Sequence, residues 1–281
     1  MAGTVPTTRR WLLIEHPGPW QHDALGSMGL PAGVLEEVVA AVRGQGARAL
    51  LVRRPGRRLP DPDRAWGVLD QRAGWSRWGR WSEPDDLMAA VMALSEEPAP
   101  PYPPAEQVLL VCTHGRHDTC CAVFGRPVVN ALAERWPEHT WECSHLGGDR
   151  FAANLLVAPD GLYYGRLDAE TAVDVVAGHL RGEVDGRHLR GSAALPPALQ
   201  AALVAAHERF GPAPARAIRA ESLDMLSPDR WRVRLASTAP LPPHIDVVVA
   251  RTSQPPALLT CHARAESAAT VFTAEEPVVV A

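Results

Sequence analysis

The chain has no lysine: its 28 strongly basic residues are all arginine. That excludes a Schiff-base lysine and the phosphate-binding lysine of a P-loop. No apolar run approaches the roughly 18 residues that a membrane-crossing helix needs. The opening MAGTVPTTRRWLLIEHPGPW has an arginine pair, but its apolar run is too short for a secretory signal and prolines interrupt it at once. A net charge of -4 and a pI near 6.3 give no overall pull toward nucleic acid or anionic membrane. No nucleophile elbow, zinc-protease helix or pair of sugar-cleaving carboxylates stands out. Gly44, Gly46 and Ala49 imitate a dinucleotide fingerprint, but they follow a helical segment and precede a strand, the reverse of the required context. Cysteine is scarce, with five residues and no even framework of disulfides. Four of them fall in one stretch, which points to metal or redox chemistry in a reducing compartment, and the cytoplasm is the expected location.

That stretch, residues 108–167, organises the chain. A short apolar run ends in Cys112, and a polar loop holds Cys120 and Cys121. A helix is expected from Pro127, with Val129, Leu132, Ala133 and Trp136 on its apolar stripe. A second strand, 139–143, leads into SHLGGD, where two glycines allow a sharp bend between His145 and Asp149. Soft donors at the ends of neighbouring strands are how a fold assembles a metal site.

The pattern Cys112, Thr113, Gly115, then Cys121 after eight intervening residues, is followed by Ser144, His145, Gly147, Gly148 and Asp149 and by Phe151, Ala152, Ala153 and Asn154. It resembles the sucrase/ferredoxin-like family over about residues 107–190, with weaker likeness in the flanks. The resemblance implies a thioredoxin-like ferredoxin carrying a 2Fe-2S cluster on two cysteines and two histidines. It assigns Cys112, Cys121 and His145 as ligands, and puts Asp149 where the family has its second histidine. Three outcomes stay open. Asp149 ligates through a carboxylate oxygen; Cys143, on the strand face shared with His145, takes its place; or the cluster is lost, leaving zinc or no metal. His114 and His117 in the ligand loop are read as donors around the sulfurs or recruits to a metal, and Cys120 as accessory. Arg116, Arg126 and Arg150 flank the loops, placed to lower thiol pKa values or to dock an acidic redox partner protein. Neither a membrane nor nucleic acid is expected as a partner.

The flanks complete the expected architecture. Strands at 11–15, 47–52 and 65–69, a helix at 31–43 and another capped by Ser82 with Leu87, Met88, Val91 and Leu94 make residues 1–97 an α/β region. It reads as a degenerate thioredoxin-like half without ligands. Tryptophans 66, 75, 78 and 81, interleaved with arginines, read as stacked and solvated surface rather than a nucleic-acid site. A proline-rich linker spans 98–106. Within the 107–190 domain, a hairpin at 155–157 and 162–165 precedes a helix capped by Asp168. A charged, glycine-rich link at 181–191 leads to residues 191–281, a helix at 197–210 and a small antiparallel β appendage with strands at 231–235, 245–250, 258–263 and 270–273. Cys261 is read as a buried core cysteine there. The expected protein is an electron carrier or redox sensor rather than a stand-alone enzyme. A zinc-stabilised binding module and a cofactor-free thiol protein acting through Cys120 or Cys121 are the alternatives.

Overall fold

The computed structural model describes residues 1–56, 62–97 and 105–280. Apolar runs bounded by turns form a first unit: β1 (Arg10–Glu15), α1 (Ala32–Gly44), β2 (Arg48–Arg53), β3 (Arg64–Asp70), β4 (Trp75–Trp81) and α2 (Leu87–Ser95). A second unit repeats the order with β5 (Val108–Cys112), α3 (Thr119–Arg135), β6 (Thr140–Cys143), β7 (Leu155–Ala158), β8 (Leu162–Tyr164) and α4 (Ala169–Leu180). In both, the first strand pairs in parallel with the second and antiparallel with the third, which pairs with the fourth. This is a thioredoxin-like α/β arrangement, present twice. The expected first half is therefore a full structural copy of the second without its cysteines.

The copies join edge to edge. β2 pairs antiparallel with β6 through Val52↔Cys143 and Arg53↔Glu142, and β9 (Leu189–Ser192) adds to β8, giving one sheet ordered β4-β3-β1-β2-β6-β5-β7-β8-β9. The expected units at 1–97 and 107–190 thus share a sheet. The proline-rich linker falls mostly on 98–104, outside the described residues.

Alternation sorts the core. On β1, Leu12 and Ile14 pack with Val38 of α1 and Leu87 and Leu94 of α2, whereas Trp11 and Leu13 join Leu110, Cys112, Cys121, Cys143 and Leu156 of the second copy. That shared layer holds three of the five cysteines, so the candidate metal donors Cys112 and Cys121 sit at the junction of the copies. α5 (Pro197–Phe210) packs against β9 and carries a separate sheet of β10 (Ile218–Ser227), β11 (Arg230–Ser237), β12 (His244–Ser253), β13 (Thr270–Ala274) and β14 (Val278–Val280). The antiparallel appendage is present with more strands than its sequence suggests. No helix among the described residues is long and apolar enough to cross a membrane.

Several local expectations are corrected. α3 begins at Thr119, eight residues before Pro127, because the Asp118 carboxylate accepts the Cys120 amide (2.9 Å) and caps it; Pro127 lies inside the helix. Cys120 and Cys121 are therefore on its first turn, not in a loop. Asp86, not Ser82, serves the entry to α2, accepting the Ser82 and Glu83 amides at 2.9 Å each. β4 has no predicted counterpart because glycines break its pattern. Gly79 pairs with Trp66 and Gly67 with Trp78, and a Cβ on either glycine would fall within 2.7 Å of the facing indole. The tryptophan-arginine segment is this edge hairpin, with the Arg64 guanidinium 3.3 Å over the Trp81 ring. β9 and β10 lie where only connecting chain is expected, and 258–263 is a loop rather than a strand.

Candidate metal centre

β5 delivers Cys112 at its C-terminal end, and α3 returns over it to present Cys121 one turn into the helix. The approach is close: a Cβ on Gly125 would lie 2.2 Å from the Cys112 carbonyl oxygen, so only glycine fits there. The SHLGGD loop leaves the end of the parallel neighbour β6. Ser144 pins it to β2, its amide donating to the Leu51 carbonyl (2.8 Å) and its hydroxyl accepting the Leu51 amide (3.0 Å). Arg48 holds the carbonyls of His145 and Leu146 at 3.0 Å each. Gly147 and Gly148 then turn the chain with φ of 90° and 82°, conformations that disfavour a side chain, and bring Asp149 back beside His145.

The outcome is two overlapping sets of donor atoms. The sulfurs of Cys112 and Cys121 and a ring nitrogen of His145 lie within 4.8 Å of one another, and so do donor atoms of His117, His145 and Asp149. Asp149 bridges the sets: its Oδ1 accepts from the Cys121 sulfur at 3.7 Å and lies 3.1 Å from His145 Nδ1, in contact range but not aligned as a hydrogen bond. Hydrogen bonding from Cys121, and then from His145, holds the Cys112 thiol well below the ordinary range despite its burial. Cys121 moves the opposite way, raised by its bond to Cys112 and by burial. Burial raises the Asp149 carboxyl. Two thiolates, an imidazole and a carboxylate suit iron or zinc, and the buried, unpartnered Nδ1 atoms of His117 and His145 leave imidazole capacity facing the same space.

The first copy supplies part of the wall. After β1, residues 16–31 fold over the ligand loop, where His114 Nε2–H donates to the Gln21 carbonyl at 2.6 Å. Three imidazoles stack outward from the centre: His145 on His117 with centroids 3.7 Å apart, and His117 on His22 at 4.7 Å. Burial, with His145 nearby, pushes His117 down to about 4. His22 has no signal in the sequence, because only the pairing of β2 with β6 brings its loop here.

The remaining expected residues separate. His114 is committed to Gln21. Cys143 is fully buried, outside both donor sets, and its thiol is pushed well above the ordinary range by burial. Cys120 forms a disulfide with Cys261 across 141 residues, which corrects two expectations: that Cys120 is accessory to the metal, and that Cys261 is a core residue. Cys261 is exposed on the loop between β12 and β13. That loop is fixed to the start of α3 by the disulfide, by the Cys261 amide donating to Asp118 (2.7 Å), and by Thr119 and His262 at 3.1 Å. Arg116, Arg126 and Arg150 are exposed, and none makes an ion pair among the described residues. Arg150 rests its guanidinium 4.8 Å over the Phe151 ring.

Residues 1–191, both thioredoxin-like copies through most of β9, match the family described as Sucrase/ferredoxin-like. No curated protein and no solved structure matches the chain.

Proposed function

Since the chain belongs to the sucrase/ferredoxin-like family, we propose that Cys112, Cys121, His145 and Asp149 hold a 2Fe-2S cluster and that the protein carries electrons or senses redox state. The observation that supports this most is the approach of both sulfurs and the His145 ring to within 4.8 Å, with Asp149 closing the fourth side. A bound cluster would store a single electron. The protein's part is to supply two anionic sulfurs, a neutral imidazole and an anionic carboxylate, and to shield them beneath α3 and the 16–31 loop. Replacing a neutral imidazole by a carboxylate adds negative charge and favours the oxidised form, so the reading implies a lower potential than a two-histidine site would have.

The surface over α3 suits the exit of electrons. The helix carries the exposed Val123 (58%) and Phe124 (52%) one turn beyond Cys121, flanked by Arg116 and Arg126, with no acidic residue from 119 to 133. An acidic redox protein with an apolar contact patch suits this face, with Arg150 on the other ligand loop.

The compactness of the donor set also suits one tetrahedral ion, so a zinc-stabilised module is the second reading. A cofactor-free thiol protein has less support, because Cys120 is tied to Cys261 and the bond to Cys112, with burial, raises the Cys121 thiol. Iron, zinc and acid-labile sulfide would be measured on protein purified without oxygen, with visible and electron-paramagnetic-resonance spectra before and after reduction. About two irons and two sulfides per chain are expected. Zinc without sulfide would overturn the iron–sulfur reading in favour of the second.

A further inference from the structure

Among the described residues two arginines are fully enclosed, and they are handled differently. Arg10 is paired with the buried Asp70 carboxylate at 2.8 Å. Arg190, on β9 and 0% exposed, meets only neutral partners: Thr4 Oγ1 at 3.2 Å, the Thr4 carbonyl at 2.9 Å, the Gly147 carbonyl at 2.9 Å and Asn154 Oδ1 at 2.7 Å. No carboxylate among the described residues forms an ion pair with it. A guanidinium enclosed in this way is costly unless negative charge lies close by.

Its position names that charge. Arg190 is packed on the Gly147–Gly148 turn so tightly that a Cβ on Gly148 would lie 2.3 Å from Nη2, and Asp149 is the next residue. Asn154 completes the brace, donating to the Gly148 carbonyl at 2.9 Å while accepting from Arg190. Burial draws Arg190 down to about 10; of the groups that oppose this fall, Tyr163 is a phenol that burial keeps neutral, which leaves Asp149 and Cys112 as the acidic groups. Formal charge then decides what the cation is for. Two ferric ions, two sulfides and two thiolates sum to zero when the other ligands are neutral imidazoles. A carboxylate makes the oxidised centre a monoanion and the reduced centre a dianion.

We propose that Arg190 is the counter-charge to Asp149: a positioning residue that braces the ligand turn and, by placing a fixed cation behind it, makes a carboxylate tolerable as a cluster ligand and raises the potential of the centre. This rests on the iron–sulfur reading above. The full chain would be purified without oxygen as wild type, Arg190→Gln, Arg190→Lys, Asp149→His and the double variant Arg190→Gln/Asp149→His. Iron and sulfide would be assayed on each, and the midpoint potential measured by optical titration. Arg190→Gln keeps hydrogen bonds and loses the charge. It is expected to shift the reduction equilibrium at least tenfold toward the oxidised form, about 59 mV for one electron. Arg190→Lys is expected to shift it less, and the double variant, with one charge of each sign removed, to return toward wild type.

If Arg190→Gln fails to retain the cluster, the double variant decides. Recovery of iron and sulfide there identifies charge as the cause, whereas continued loss in a protein with wild-type circular dichroism leaves Arg190 a brace and overturns the proposal. A retained cluster with an unmoved potential in Arg190→Gln overturns this inference alone. Wild-type protein without iron and sulfide overturns the iron–sulfur reading and the inference with it.

Discussion

Cys112 and Cys143 lie opposite one another in register on the parallel strands β5 and β6, yet only Cys112 belongs to a donor set. The difference arises in the chain beyond each strand. After Cys112 it turns into α3, which brings Cys121 back to the strand end. After Cys143 it continues through Ser144 into the ligand loop, leaving Cys143 in the core between the copies. Cys143→Ala is therefore expected to keep the wild-type metal content and to cost about 1–2 kcal/mol through the lost packing. Cys112→Ala should abolish metal binding. Metal analysis and urea denaturation of both variants check this, and loss of metal from Cys143→Ala would contradict the ligand assignment.

Gly125 is the contact that sets the spacing of Cys112 and Cys121. A methyl group there meets a backbone carbonyl, which cannot rotate away, so α3 must lift from β5. Gly125→Ala should destabilise the protein by about 1–3 kcal/mol despite the better helix propensity of alanine, and should weaken metal retention. A stabilised variant with full metal content would show that the two elements are not in this close contact.

The Cys120–Cys261 disulfide closes a very long loop and fastens the second sheet to the first turn of α3. Cys120→Ser is expected to lower the stability of metal-free protein by roughly 2–5 kcal/mol and to remove its sensitivity to a phosphine reductant. Limited proteolysis should then cut within 254–269, the loop released by the change. Equal urea midpoints for oxidised wild type and Cys120→Ser would refute the linkage.

His207 gives a pH dependence that does not involve the metal centre. It is 2% exposed on α5, and burial pushes it down to about 4 from its ordinary 6.5. Between those values the unfolded chain takes up a proton that the folded one refuses. The contribution is complete above about pH 6.5 and disappears as the pH falls through about 4, a loss of ~3 kcal/mol. Denaturation of metal-free protein at about pH 7 and about pH 4 should show wild type losing that much more than His207→Leu. Parallel losses in the two proteins would exclude His207 as the source.

The elements legible in the sequence are those whose causes are local. The buried runs of β1, β2 and β5, the capping of α4 by Asp168 and the paired glycines before Asp149 all arise from periodicity and backbone sterics over a few residues. The elements that escaped have causes elsewhere. β4 is a strand because Gly67 and Gly79 lie beneath tryptophans of the facing strand, and α3 starts early because Asp118 caps it ahead of a proline that suggests a later start.

The amino-acid sequence by itself carried the motif whose family resemblance proposes Cys112, Cys121, His145 and Asp149 as donors, together with the duplicated strand-helix order, since motif spacing and periodicity are properties of a linear chain. Tertiary structure decided which groups share the space around those donors. His22 arrives with the first copy through the pairing of β2 with β6, Arg190 arrives on β9 behind the ligand turn, and Cys261 reaches Cys120 from 141 residues away while Cys143 is shut out. Each of these depends on strand order and on which sheet edges meet, and no short stretch of sequence encodes such long-range pairings.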